Sequence, residues 1–156
     1  MPAKLVVGEK PPAFELPRAG GGPLSLSSLA GRKVVLYFYP KDDTSGCTRE
    51  ALDFSALASQ FAEQGAQVIG VSPDSCASHD KFKSKHRLDL ILLSDEAKNM
   101  LLAYGVWTEK SMYGRKYMGV ERTTVLIGAD GKVAKVWNKV KPAGHAQEVL
   151  DCVRAL

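Results

Sequence analysis

The sequence predicts an α/β domain built on a mainly parallel sheet with one antiparallel edge, and three observations predict it. Short apolar runs rich in β-branched and aromatic residues recur along the chain, and such runs fit strands covered on both faces. Segments with apolar residues at helical spacing separate them. Asp130-Gly131 then marks a hairpin turn between the last two runs. Strand, helix, strand, helix, strand, helix, hairpin, helix is an α/β order.

Taken in order, residues 14–16 and 24–26 read as a small N-terminal hairpin, with Ala19-Gly20-Gly21-Gly22-Pro23 as its turn. Residues 33–39, Lys-Val-Val-Leu-Tyr-Phe-Tyr, form the first core strand, which Pro40 ends. Cys47, Ala51, Phe54, Ala58 and Phe61 then recur at spacings of three and four, with Leu57 and Ala62 beside them. This predicts one helix closed by Gly65. Residues 67–72 are a second strand, and Pro73-Asp74-Ser75 starts a helix over about 76–85. Residues 90–93 are a third strand, followed by a short helix near 96–104 closed by Gly105. After a polar stretch, residues 123–128 and 132–137 flank the Asp130-Gly131 turn. A last helix follows Pro142, with Val149, Leu150, Val153 and Leu156 on one face.

The 156 residues suffice for one domain, expected to span 1–156, without repeat or linker. The composition, 45% hydrophobic and 24% charged, is that of a globular domain. No apolar stretch approaches the roughly 18–20 residues that a membrane span needs. Residues 1–10 show neither an apolar signal core nor a cleavage site, so the expected location is the cytoplasm. The net charge of +4 comes from basic residues scattered among acids. The nearest cluster, Lys81, Lys83, Lys85, His86 and Arg87, is interrupted by Phe82 and reads as a solvated helix face. Neither a nucleic-acid nor a membrane partner is expected. Three cysteines, Cys47, Cys76 and Cys152, are too few and odd in number for a disulfide framework.

In parallel α/β sheets, sites form at the carboxyl ends of the strands. Cys47 falls there, in the first turn of the helix after the first core strand. Unpaired N–H groups and the helix dipole favour an anion at that position, which suits a reactive thiolate. Thr44, three residues earlier, is placed to cap the helix or to face the same pocket. From position alone, Cys47 reads equally well as a small buried hydrophobe.

Tyr39-Pro40-Lys41-Asp42-Asp43-Thr44-Ser45-Gly46-Cys47-Thr48-Arg49-Glu50-Ala51 resembles the peroxiredoxins and their motif Pro-x-x-x-Thr-x-x-Cys. It is most similar to the bacterioferritin comigratory protein, or Q-type, branch. The likeness extends to Gly8-Glu9-Lys10-Pro11-Pro12-Ala13-Phe14, to Gly70-Val71-Ser72-Pro73-Asp74-Ser75 and to Arg122-Thr123-Thr124-Val125-Leu126-Ile127. The resemblance implies a thioredoxin-like fold, a central mixed sheet flanked by helices with an N-terminal β-hairpin extension. It implies a thiol-dependent, antioxidant peroxidase without cofactor, acting on hydrogen peroxide and organic hydroperoxides. Cys47 would be the peroxidatic nucleophile and Thr44 would hydrogen-bond the peroxide. Pro40 would shield the site, and Arg122 would stabilise the thiolate and orient the substrate. On residue type alone, Arg122 reads as a surface salt bridge. A reductant of thioredoxin or glutaredoxin type and a monomeric state are likewise implied.

Many members of that branch carry a resolving cysteine five residues after the nucleophile, where this chain has Leu52. Cys76 is the candidate resolving residue, since Cys47 and Cys76 both follow consecutive parallel strands at the carboxyl edge. Bonding the two needs Cα atoms within about 7 Å and hence local unwinding. The competing expectation is a one-cysteine enzyme reduced directly by an external thiol. Cys152, on a face with Val149 and Leu156, reads as a core thiol.

Three rival functions fit less well. A dithiol oxidoreductase needs Cys-x-x-Cys, but Thr44 and Glu50 stand three residues either side of Cys47. A metal module could draw on Cys76-x-x-His79 with Cys47, yet zinc usually takes four ligands, and His79 reads as a polar helix residue. A holdase surface could use the aromatic segment 104–117, with Trp107, Met112, Tyr113 and Met118. The same segment could instead line the peroxide entrance, and its plainer reading is a covering loop over the core.

Overall fold

A computed structural model describes residues 5–156. The first four residues of the expected 1–156 domain lie outside the described residues.

The chain opens with a hairpin, β1 (Glu15–Pro17) and β2 (Pro23–Ser25), followed by a 3₁₀ turn at Leu26–Leu29. Next come β3 (Lys33–Phe38), α1 (Ser45–Ala56), α2 (Ala58–Glu63), β4 (Ala66–Ser72), α3 (Cys76–His86), β5 (Ile91–Ser94) and α4 (Asn99–Ala103). A second hairpin, β6 (Trp107–Met112) and β7 (Arg115–Val120), precedes β8 (Thr123–Ile127), β9 (Val133–Trp137) and α5 (His145–Ala155). The central sheet has the order β5-β4-β3-β8-β9. β5, β4 and β3 pair in parallel, whereas β8 is antiparallel to both β3 and β9. The sheet is therefore mixed, and its antiparallel part is broader than one edge strand. The α/β class and the N-terminal hairpin stand as expected.

Alternation along β3 divides the core. Val35, Tyr37 and Tyr39 face one layer with Phe54, Phe61, Phe82 and Val149, while Val34, Leu36 and Phe38 face the other with Leu93, Leu101 and Tyr104. Tyr37 stacks on Phe54 with ring centroids 4.8 Å apart, and this packing presses α1 onto the sheet. Truncating a buried phenylalanine of this kind costs about 3–5 kcal/mol. The free edge of β5 is covered by the first hairpin, where the Ala19 N–H donates to the Leu92 carbonyl at 3.0 Å.

Several elements differ from the sequence reading. The helix expected to run unbroken to Gly65 divides at Leu57, whose N–H bonds the Phe54 carbonyl in a tightened turn before α2 begins. Gly65 does close it, at φ +70°. The segment after Gly105 is a hairpin rather than a covering loop. Tyr113 and Gly114, at φ 53° and 77°, make its two-residue turn, and Met112 pairs with Arg115. α4 starts later than expected, after Lys98 in the left-handed region. Leu156 is exposed, because α5 ends before it. Cys152 is half-buried at the rim of the core, not inside it.

Candidate active site

β3, β4 and β5 all end at one edge of the sheet. Phe38 pairs with Thr123, so antiparallel β8 begins at that same edge. The edge thereby gathers residues 40–47, the loop before α3 and Arg122.

Cys47 is the third residue of α1 and is buried, at 1% exposure. The Arg122 Nη2 donates to Cys47 Sγ at 3.2 Å, and its Nη1 donates to Glu50 Oε1 at 2.7 Å. One guanidinium thus bridges the sulfur and a buried carboxylate one helical turn on. Burial alone would lower the Arg122 pKa, but Glu50 and Cys47 outweigh it and raise the value. Burial pushes Glu50 up to about 7 against the pull of Arg122. The Glu50 Oε2 and the Tyr37 hydroxyl have no hydrogen-bond partner among the described residues. Burial, reinforced by Glu50 and Cys47, holds the Tyr37 hydroxyl well above its ordinary pKa, so it stays neutral.

Gly46 has a steric reason to be glycine. A Cβ there would stand 3.3 Å from Arg122 Nη2 and 3.8 Å from Pro142 Cγ. On the outer side, Lys110 of β6 shares a surface depression with Arg122, Tyr117 and Lys139. Desolvation and the neighbouring Arg122 lower its pKa.

Thr44 is the residue before α1, but its hydroxyl does not cap the helix. It donates to the Lys41 carbonyl at 3.0 Å and is exposed. That corrects the capping alternative, since the tight turn 41–44 takes the hydroxyl proton. Pro40 is half-buried, two residues past the end of β3. Cys76 opens α3, half-buried, and burial together with Asp80 and Glu96 raises its pKa. Its helix neighbours Ser78 and His79 bond Asp42 in the loop after β3.

His79 is wholly buried, contrary to the expectation of an ordinary polar helix residue. The reason is Asp42, itself buried, which gives the ring a partner inside the core. Sequence reasoning also passed over Glu50 and Gly46. The available signal was spacing, since Glu50 lies one turn beyond Cys47 on the same helix face.

A model of the AhpC/TSA family matches residues 7–136. The chain is 46% identical over 150 residues to peroxiredoxin Bcp of Bacillus subtilis, covering 96% of each. Among solved structures it is similar to peroxiredoxin Q of Xanthomonas campestris, with a TM-score of 0.90 and 43% identity over 96% of this chain and 97% of that one. It is equally similar to the trapped intermediate/ligand complex structures of the Xanthomonas campestris bacterioferritin comigratory protein, whose subject is alkyl peroxide reduction. There the TM-score is 0.90 and the identity 42%, over 96% and 98% of the two chains.

Proposed function

The chain belongs to the AhpC/TSA family and is a thiol-dependent peroxidase of the peroxiredoxin class, and on that premise we propose that Cys47 is its peroxidatic cysteine, served by Arg122, Thr44 and Pro40. The observation that carries this reading is the 3.2 Å contact from Arg122 Nη2 to Cys47 Sγ in the first turn of α1. A cationic donor on a sulfur set in the first turn of a helix favours the anion that attacks oxygen.

The anionic sulfur attacks the terminal oxygen of a hydroperoxide. The S–O bond forms as the O–O bond breaks, and the departing oxygen takes a proton to leave as water or alcohol. Cys47 is left as a sulfenic acid. The Arg122 fork stabilises charge on the entering and leaving atoms. Thr44, with its proton committed to Lys41, offers lone pairs to the peroxide hydroxyl. Pro40 shields the pocket from bulk water. The alkyl peroxide reduction named for the Xanthomonas campestris relative supports organic hydroperoxides as substrates beside hydrogen peroxide.

A thiol then attacks the sulfenic sulfur, releasing water and leaving a mixed disulfide that a second thiol resolves. An external dithiol of thioredoxin or glutaredoxin type is the reductant in this reading. Cys76 is the internal alternative. Its flanking Asp80 and Glu96, and its raised pKa, disfavour the attacking thiolate, and α3 must unwind before it meets Cys47. The rest of the reading is a single-domain, cytoplasmic, monomeric antioxidant enzyme with no nucleic-acid or membrane partner. No helix among the described residues is long and apolar enough to cross a membrane.

Mass spectrometry after one equivalent of peroxide tests both steps. The expected result is sulfenic acid on Cys47, absent from Cys47→Ser, with Cys76 free. Peroxide turnover by Cys47→Ser would overturn the assignment. A Cys47–Cys76 bond that Cys76→Ser converts to stable sulfenic acid would establish the internal route.

A further inference from the structure

A second cluster, unused by the chemistry above, lies behind the Cys47 loop. The Asp42 carboxylate is buried and meets three side chains. The Tyr39 hydroxyl donates to Oδ1 at 2.6 Å, the Ser78 hydroxyl donates to Oδ2 at 2.8 Å, and His79 Nδ1 meets Oδ2 at 2.7 Å. His79 Nε2 donates to the Leu93 carbonyl at the end of β5, 2.9 Å away. The Asp42 N–H donates to Asp74 Oδ2 at 2.8 Å. The next residue, Asp43, holds a left-handed φ of 60° and binds Lys85 and His86 farther along α3. Two adjacent loop residues are thus clamped to α3 and, through His79, to β5.

A buried carboxylate–imidazole pair between a loop and a helix is expensive to desolvate, and hydrophobic packing would serve stability as well. What this one does is fix a loop. Residues 41–44 lead directly into the first turn of α1, so they set where Thr44 and Cys47 stand. Reduction of the sulfenic acid makes the opposite demand. With Cys47 at 1% exposure, no thiol can line up behind its S–O bond until that turn moves.

We propose that Asp42 and His79 are positioning residues for the peroxidase reaction: their pairing holds loop 41–44 in the arrangement that takes peroxide, and its release lets the oxidised Cys47 emerge to be reduced. The proposal rests on the Cys47 reading. It predicts that one latch acts on the two half-reactions with opposite sign, which a merely stabilising contact would not do.

The test uses the full chain as Asp42→Asn and His79→Gln. Stopped flow measures attack on hydrogen peroxide, and absorbance measures capture of thionitrobenzoate by preformed Cys47 sulfenic acid, located by peptide mapping. Attack is expected to slow at least about tenfold through misplacement of the reacting sulfur. Capture is expected to speed several-fold as the turn opens more readily. Two rates that fall together, or that both hold, would overturn the proposal. If either variant does not fold, Ser78→Ala and Tyr39→Phe, each removing one donor to the same carboxylate, must give the same opposed shifts in smaller measure. Cys76→Ser protein in which peroxide leaves no sulfenic acid on Cys47 and no thionitrobenzoate is captured would sink the Cys47 assignment itself, and this latch with it.

Discussion

Phe38 and Thr123 are paired across the antiparallel junction of β3 and β8, and that register sets Arg122 against Cys47 across 75 residues of chain. A one-residue slip would turn every β8 side chain to the opposite face. The active-site geometry is therefore written into the strand pairing of the core.

Arg122→Lys keeps the charge and loses the fork. A single ammonium cannot serve Sγ and Glu50 Oε1 in the positions that two guanidinium nitrogens occupy. Attack on peroxide is expected to slow about 100-fold, the usual cost of one preorganised donor at a reacting centre. Single-turnover kinetics would show it, and a wild-type rate would contradict the bridging role.

Glu50 makes stability depend on pH in an unusual direction. Its folded pKa, about 7, lies above the ordinary 4.5, so the fold binds this proton more tightly than the unfolded chain does. Its contribution is fully present below the unfolded value and is lost as pH rises from 4.5 through about 7. That shift corresponds to about 3 kcal/mol. Glu50→Gln should flatten the corresponding slope in urea titrations, and identical slopes for variant and parent would refute the assignment.

Gly46→Ala introduces a Cβ 3.3 Å from Arg122 Nη2, too close unless the guanidinium yields. The expected loss in peroxide attack is about tenfold or less, since the fork is displaced and not removed. An undisturbed rate would mean that the guanidinium has room to spare.

Gly70→Ala strikes the scaffold beneath the site. Its Cβ would stand 2.8 Å from both Leu92 Cδ2 and Tyr37 Cζ, within a packed layer. A destabilisation of about 1–3 kcal/mol is expected from such overpacking. The midpoint of denaturant unfolding measures it, and an unchanged midpoint would show that Tyr37 can shift freely.

The runs at β3 and β4 were legible because their apolar character is continuous, and the first turn of α1 because a strand, a proline and a cysteine fall in sequence order. The β6–β7 hairpin was not. Its turn places Tyr113 in the left-handed region, where asparagine or aspartate is the familiar signal, and both strands are largely exposed. His79 was misread for a different reason. Nothing local marks a histidine as buried when its partner, Asp42, lies 37 residues away. Arg122 could be named from the motif, but its double contact depends on strand pairing that no local pattern reveals.

The near-complete enclosure of Cys47 gives the enzyme a sieve. A molecule as slender as hydrogen peroxide needs only a small opening to reach the sulfur, whereas bulky electrophiles meet a wall. Maleimide-sized labels should therefore mark half-buried Cys76 and Cys152 first, leaving Cys47, the proposed nucleophile, the last to be tagged. Selectivity for oxidant over alkylating agent is thus a matter of shape before it is one of intrinsic sulfur reactivity.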